Sequence, residues 1–96
     1  MRTRTTPEAA GDQRDIYRWL RRNRPGWAPQ FKREYTAARL SLQRLPYQGQ
    51  EIRDGVRRRI LGNVPYAILY RIEGNRVLII AVTNLSREPG WWEGRD

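Results

Sequence analysis

Arg57, Arg58 and Arg59 stand in a row, the densest grouping in this chain of side chains that could do chemistry. A guanidinium offers paired N–H donors that match a phosphate or a carboxylate. In an extended segment successive side chains face opposite ways, so Arg58 belongs on one face and Arg57 and Arg59 on the other. The three cannot grip one phosphate together. With Arg71 and Arg87 they could line a basic, concave sheet face, which would suit RNA. Arginine positions phosphate, whereas cleavage needs a group that moves a proton. Between Asn84 and Trp92 the only such group is Glu88. Glu51 and Asp54 lie just ahead of the arginine run and are further candidate bases, with loop ion pairs as their plainer use. Tyr66 and Tyr70 share a strand face, where they could stack on a base or fill a core.

What is missing narrows the chemistry further. The chain has no cysteine and no histidine. Disulfides, thiolate nucleophiles, the Ser/His/Asp arrangement and any cysteine or histidine metal site are thereby excluded. No Gly-rich phosphate loop is present, since Gly74 is isolated in a turn, and no cofactor is expected. The formal charge is +9, and it is unevenly placed: residues 1 to 60 carry 15 basic and 6 acidic side chains, residues 61 to 96 carry 4 of each. Such a chain is drawn to phosphate backbones, anionic membranes or an acidic protein. The opening segment MRTRTTPEAAGDQ has no apolar signal core, and no run approaches the roughly 20 apolar residues of a membrane span. A soluble protein of the cytoplasm is the expectation.

The elements that must carry these residues can be read from periodicity. At 96 residues the chain suits one domain with one core. Met1 to Thr5 is a candidate edge strand. Thr6-Pro7-Glu8 combines a hydroxyl cap, a first-turn proline and a first-turn acid, which together start a helix. Asn23-Arg24-Pro25-Gly26 stops it. A second helix runs from about Trp27 to Leu45, with Phe31, Tyr35, Ala38, Leu42 and Leu45 on one face. The short Pro-Gly turn makes the pair an antiparallel hairpin. Pro46 to Gln50 reads as a loop. Val56 to Leu61 and Val64 to Ile72 alternate as strands, Glu73-Gly74-Asn75 is a turn, and Val77 to Thr83 is apolar on both faces, as in a central strand. Helices followed by strands predict an α+β domain over residues 1–96, with the hairpin packed on a mainly antiparallel sheet. Residues 86–96 predict a loosely structured tail.

The motifs, taken in order, resemble the RelE/ParE toxin superfamily of bacterial type II toxin–antitoxin systems. They are Thr5-Thr6-Pro7-Glu8-Ala9, Asn23-Arg24-Pro25, Gly55-Val56-Arg57-Arg58, Pro65 to Ile72, and Ala81-Val82 followed by Arg87-Glu88-Pro89-Gly90-Trp91-Trp92. The resemblance implies a β-α-α-β-β-β toxin that arrests growth and is neutralised by an acidic antitoxin, which lays a helix on the toxin and often adds a strand. An apolar stripe such as Phe31 and Tyr35 could then be shared with that partner. It also implies one of two targets. RelE-like members cut mRNA on the ribosome, whereas ParE-like members poison DNA gyrase without a nuclease site. RelE-like nucleases commonly have arginine where Ala67 follows the strand tyrosine, and related plasmid-stabilisation proteins often have histidine where Asn84 stands. Those departures favour the ParE-like branch. The alternatives are an mRNA endonuclease using Arg58, Arg71, Arg87 and Glu88, and a non-toxic relative that only binds protein. Candidate surfaces for target or antitoxin are the hairpin residues Trp19, Arg22 and Trp27, the strand residues Arg57 and Arg59, and the tail residues Arg87, Trp91 and Trp92.

Overall fold

The computed structural model describes residues 1–95, and its element order is β1 (Arg2–Thr5), α1 (Pro7–Asn23), α2 (Trp27–Arg44), β2 (Gln50–Arg53), β3 (Val56–Ile60), β4 (Tyr66–Glu73) and β5 (Arg76–Asn84). The expected signals start α1: Thr6 Oγ1 accepts the Ala9 N–H at 3.1 Å, Pro7 sits in the first turn and Glu8 faces the positive end of the helix dipole. Helix α2 buries Ala28, Phe31, Tyr35, Ala38 and Leu42, a stripe at helical spacing. Leu45 does not join it. It lies one residue past the helix and is 60% exposed, because the chain has already left helical geometry there. No helix among the described residues is long and apolar enough to cross a membrane.

The five strands form one sheet in the order β1-β5-β4-β3-β2. Strand β1 runs parallel to β5, and the other pairings are antiparallel. The sheet is therefore mixed, and two helices pack on one face of it. Strand β2 was not expected, since Gln50–Arg53 is short and polar. It forms as the edge of a hairpin closed by Asp54-Gly55, with Gly55 at φ +73°. On β4, Tyr66, Ile68 and Tyr70 point into the helices, and Ala67, Leu69 and Arg71 face the other way, as the alternation predicts. Phe31 of α2 meets Tyr66 edge to face, with ring centroids 5.2 Å apart.

A bulge in β5 sets which side chains reach each face. Leu69 pairs with Ala81 and Tyr70 with Ile79, so Ile80 is an extra residue. Val77, Ile79 and Val82 consequently face the helices, while Leu78, Ile80 and Ala81 face the opposite side with Val56, Leu69 and Trp92. Both faces of β5 are buried, which explains its unbroken apolar run.

The loop before β2 is held from within the core. Tyr70 donates its hydroxyl to the Pro46 carbonyl at 2.8 Å and accepts the Gly49 N–H at 2.9 Å. A Cβ at Gly49 would come within 2.7 Å of that hydroxyl and 2.8 Å of the Arg58 carbonyl, so only glycine fits. Tyr66 and Tyr70 are thus core residues, and neither is available to stack on a base.

Tyr70→Phe keeps the ring but orphans the buried Gly49 N–H and the part-buried Pro46 carbonyl, and is expected to cost about 1–3 kcal/mol in denaturant unfolding. Burial also holds the phenols of Tyr35, Tyr66 and Tyr70 above the usual tyrosine value of 10.0. The unfolded chain releases those protons first, so their contribution is complete below about pH 10 and is lost as the pH rises through the raised folded values. Unfolding curves taken at stepped alkaline pH should show stability falling there, with a shallower fall in Tyr70→Phe.

Candidate functional site

The helix-free face of the sheet is where Arg58, Arg87, Trp91 and Trp92 converge. The chain leaves β5 through an Asx turn: Asn84 Oδ1 accepts from the Ser86 N–H and hydroxyl, each at 2.8 Å, and its carbonyl accepts the Arg87 N–H at 3.0 Å. Asn84 therefore shapes the start of the tail. At Gly90, φ is +82°, a left-handed conformation that favours glycine and lets the chain double back. That reversal lays Trp92 into the cluster of Val56, Leu69, Leu78, Ile80 and Ala81. Trp91 donates its indole N–H to Thr83 Oγ1 at 2.8 Å. Residues 86–95 contain no helix or strand, only turns.

Under this tail lies a cavity of about 270 Å³, lined by Arg58, Leu69, Arg87, Glu88, Trp91 and Trp92 among others. Arg87 stacks on Trp91 with its guanidinium carbon 3.7 Å from the ring centroid. The buried Nε of Arg58 has no hydrogen-bond partner. Neither Arg58 nor Arg87 forms an ion pair with any described carboxylate. The neighbouring cations are committed. Arg53 pairs with Glu93 at 2.8 Å, and Arg71 donates to the Asp54 carbonyl at 3.2 Å in a separate cavity.

A second anchor closes the tail. Strand β1 ends opposite Ile79, leaving the next stretch of β5 without a strand neighbour on that side. Asp12 of α1 accepts the Val82 N–H at 3.0 Å, and Arg95 donates to the Ile80 carbonyl at 3.2 Å. The two side chains meet in a two-pronged pair at 2.6 and 3.2 Å. Arg95 also lies 4.7 Å from the Trp91 ring centroid. Nothing in the sequence signals this pair, because its members are 83 positions apart.

The other nominated residues are elsewhere. Arg57 and Arg59 face the loop before β2, where Arg57 donates to the Gly49 carbonyl at 2.7 Å and Arg59 to Gln48 Oε1 at 2.7 Å. Glu51 approaches Arg57 at 3.9 Å, a loose ion pair. Phe31 and Tyr35 are inside the core. Trp19 and Trp27, 52% and 37% exposed, line a different cleft with Pro65 and Leu85 at the turn of the helical hairpin. Arg24 stacks 4.7 Å from the Trp27 ring, while Arg22 is exposed on α1 outside that cleft.

The arrangement can hold an anion. Arg58, Arg87 and Glu88 share one cavity, and Arg71 does not join them. Among the described residues Glu88 is the one carboxylate that lines it, and the tyrosines of β4 point to the opposite face. No group of three acids that could hold a metal ion occurs among the described residues.

Comparison with known proteins supplies a family context. The model of the ParE toxin of type II toxin–antitoxin system, parDE, matches residues 4–89. Among solved structures, a chain of the chromosomal ParDE TA system from P. aeruginosa superposes with a TM-score of 0.78 and 23% sequence identity, over 90% of this chain and 97% of that one. At that identity the likeness is one of fold. No curated protein sequence matches.

The tail anchor is testable independently of function. Asp12→Ala and Arg95→Ala should each lower stability, and a double-mutant cycle between them should give a coupling energy of about 1–3 kcal/mol. Gly90→Ala is expected to destabilise by about 1 kcal/mol or more, read as a shift in the denaturation midpoint.

Proposed function

The chain belongs to the ParE toxin family of type II toxin–antitoxin systems, and from that premise we propose that it arrests bacterial growth by binding and poisoning DNA gyrase in the cytoplasm, until a cognate acidic antitoxin neutralises it. The family match over residues 4–89 carries this reading. Two physical features support it. The net charge of +9 favours an acidic protein partner on both encounter rate and affinity. The cavity under the tail holds two unpaired guanidiniums but no histidine or tyrosine to take and return a proton, so it suits binding better than cleavage.

Contact with gyrase would use side chains that the folded chain leaves exposed. Trp19 and Trp27 at the hairpin turn, beside Arg24, have the composition of an interface hot spot, and Arg22 is exposed on the same helix as Trp19, outside their cleft. The tail, with Arg87 and Trp91, is the other surface. Phe31 and Tyr35 can take part only if the helices part from the sheet.

One observation favours a second reading. Arg58, Arg87 and Glu88, three of the four residues nominated for an mRNA endonuclease, do line one cavity. A nuclease would orient the phosphodiester with the arginines and use Glu88 as base.

Induction without antitoxin separates these activities. The gyrase reading expects growth arrest, a DNA-damage response, and cleaved DNA trapped on purified gyrase, with mRNA intact. Trp19→Ala with Trp27→Ala should relieve the arrest while leaving the fold unchanged by circular dichroism. Cleavage of mRNA on purified ribosomes, lost in Arg87→Ala, would overturn it in favour of the nuclease. Normal growth at high expression would indicate the non-toxic relative instead.

A further inference from the structure

We propose that the cavity under the tail is a receptor for a single carboxylate side chain of an acidic protein partner, with Arg58 at its floor and Arg87 at its rim. This rests on the reading that an acidic antitoxin neutralises the chain, and it adds where that partner's acid is received.

The first argument is the division of the cations. On this face Arg53 is paired with Glu93, Arg95 with Asp12, and Arg71 with the Asp54 carbonyl. Among the described residues lining the cavity, Arg58 has a buried nitrogen without an acceptor, as Arg39 does on α2, and Arg87 has no carboxylate partner. A half-buried, unpaired guanidinium is costly, and an incoming anion offsets that cost. Stacking on Trp91 holds Arg87 in place, which reduces the side-chain entropy lost when it binds.

Size, charge and walls then choose among anions. The cavity is about 270 Å³, under the roughly 300–1,000 Å³ of ordinary ligand pockets. It suits one side chain better than a nucleotide. Glu88 at the same cavity opposes a doubly charged phosphate more than a singly charged carboxylate. Proteins that bind single-stranded nucleic acid offer aromatic faces to the bases. Here Trp92 is buried, two guanidiniums lie over Trp91, and Tyr66 and Tyr70 are on the opposite side of the sheet. Leu69 and Pro89 supply apolar wall for the stem of a glutamate or for a neighbouring aliphatic residue.

The test has two arms. In the first, the product of the reading frame beside this chain's own is titrated by calorimetry. Arg58→Gln is expected to weaken binding by about 30-fold or more, and the exposed Arg87→Gln by about 5-fold. Arg44→Gln, an equal loss of charge at the far end of α2, should change it less than about 3-fold. Equal effects of Arg58→Gln and Arg44→Gln would overturn the receptor and leave the antitoxin reading standing. In the second arm, capped Leu-Glu-Leu, capped Leu-Gln-Leu and a uridine tetranucleotide are titrated while NMR follows the Arg58 Nε–H and the Trp91 indole N–H. Saturable shifts with the glutamate peptide alone support the receptor even if the neighbouring protein fails to bind, which would remove only the antitoxin reading. No shift with the glutamate peptide, or saturation by the tetranucleotide at lower concentration, overturns it. Arg87 lies in the tail outside the sheet, so its variant reports on the cavity even if Arg58→Gln does not fold.

Discussion

The extra residue at Ile80 is the constraint on which the rest of the molecule depends. Without the bulge, strict alternation along β5 would send Val82 to the same face as Ile80, away from the helices. With it, Val82 joins the core under α1, and Ile80 and Ala81 together make the apolar floor on which Trp92 rests. The bulge lies where β1 has ended, so backbone groups of β5 need other partners there. A buried, unpaired amide or carbonyl is too costly to leave. Asp12 and Arg95 supply those partners and, by meeting each other, tie the first helix to the last residues of the chain.

That tie places the chemistry. Because the tail is held at both Trp92 and Arg95, the segment between Arg87 and Trp91 is fixed over the sheet, and the guanidinium of Arg87 is brought to the same cavity as that of Arg58. The nearby Arg53 and Arg71 are matched by a carboxylate and a carbonyl. A net charge of +9 is therefore not a uniform coat. It includes structural cations, which hold loops and edges, and others that have no acceptor among the described residues, of which Arg58 and Arg87 share one cavity. The exposed Trp19 and Trp27 form a second surface at the hairpin turn, which meets the tail cavity at Asn84 and Leu85. Two such surfaces suit the proposed encounters with a target and with an antitoxin.

Some of this was legible in the chain. The cap at Thr6, the stripe of α2, the alternation of β4 and the two-sided burial of β5 are local patterns, and the structure reproduces them. Strand β2 was not legible, because QEIR has no apolar period and is a strand only through its pairing with β3. Leu45 fits the helical period but falls one residue beyond the helix, and periodicity cannot see where a cap will end the run. Among the site residues, Arg58, Arg87 and Glu88 were named and do converge. Arg71 was named with them and lies in another cavity, beyond Trp92 and beside Glu93 and Gly94, because it sits two residues along β4 from Leu69.

The sequence by itself determined what is local or compositional: the absence of thiol and imidazole chemistry, the basic charge, the helical hairpin, the alternating strands, and the motif order that resembles a toxin family. Tertiary structure alone decided which guanidiniums are spoken for and which remain free. That division depends on contacts such as Asp12 with Arg95, 83 positions apart. No period in a sequence encodes such a contact, because it follows from where a bulge, a left-handed glycine and a buried tryptophan together return the chain.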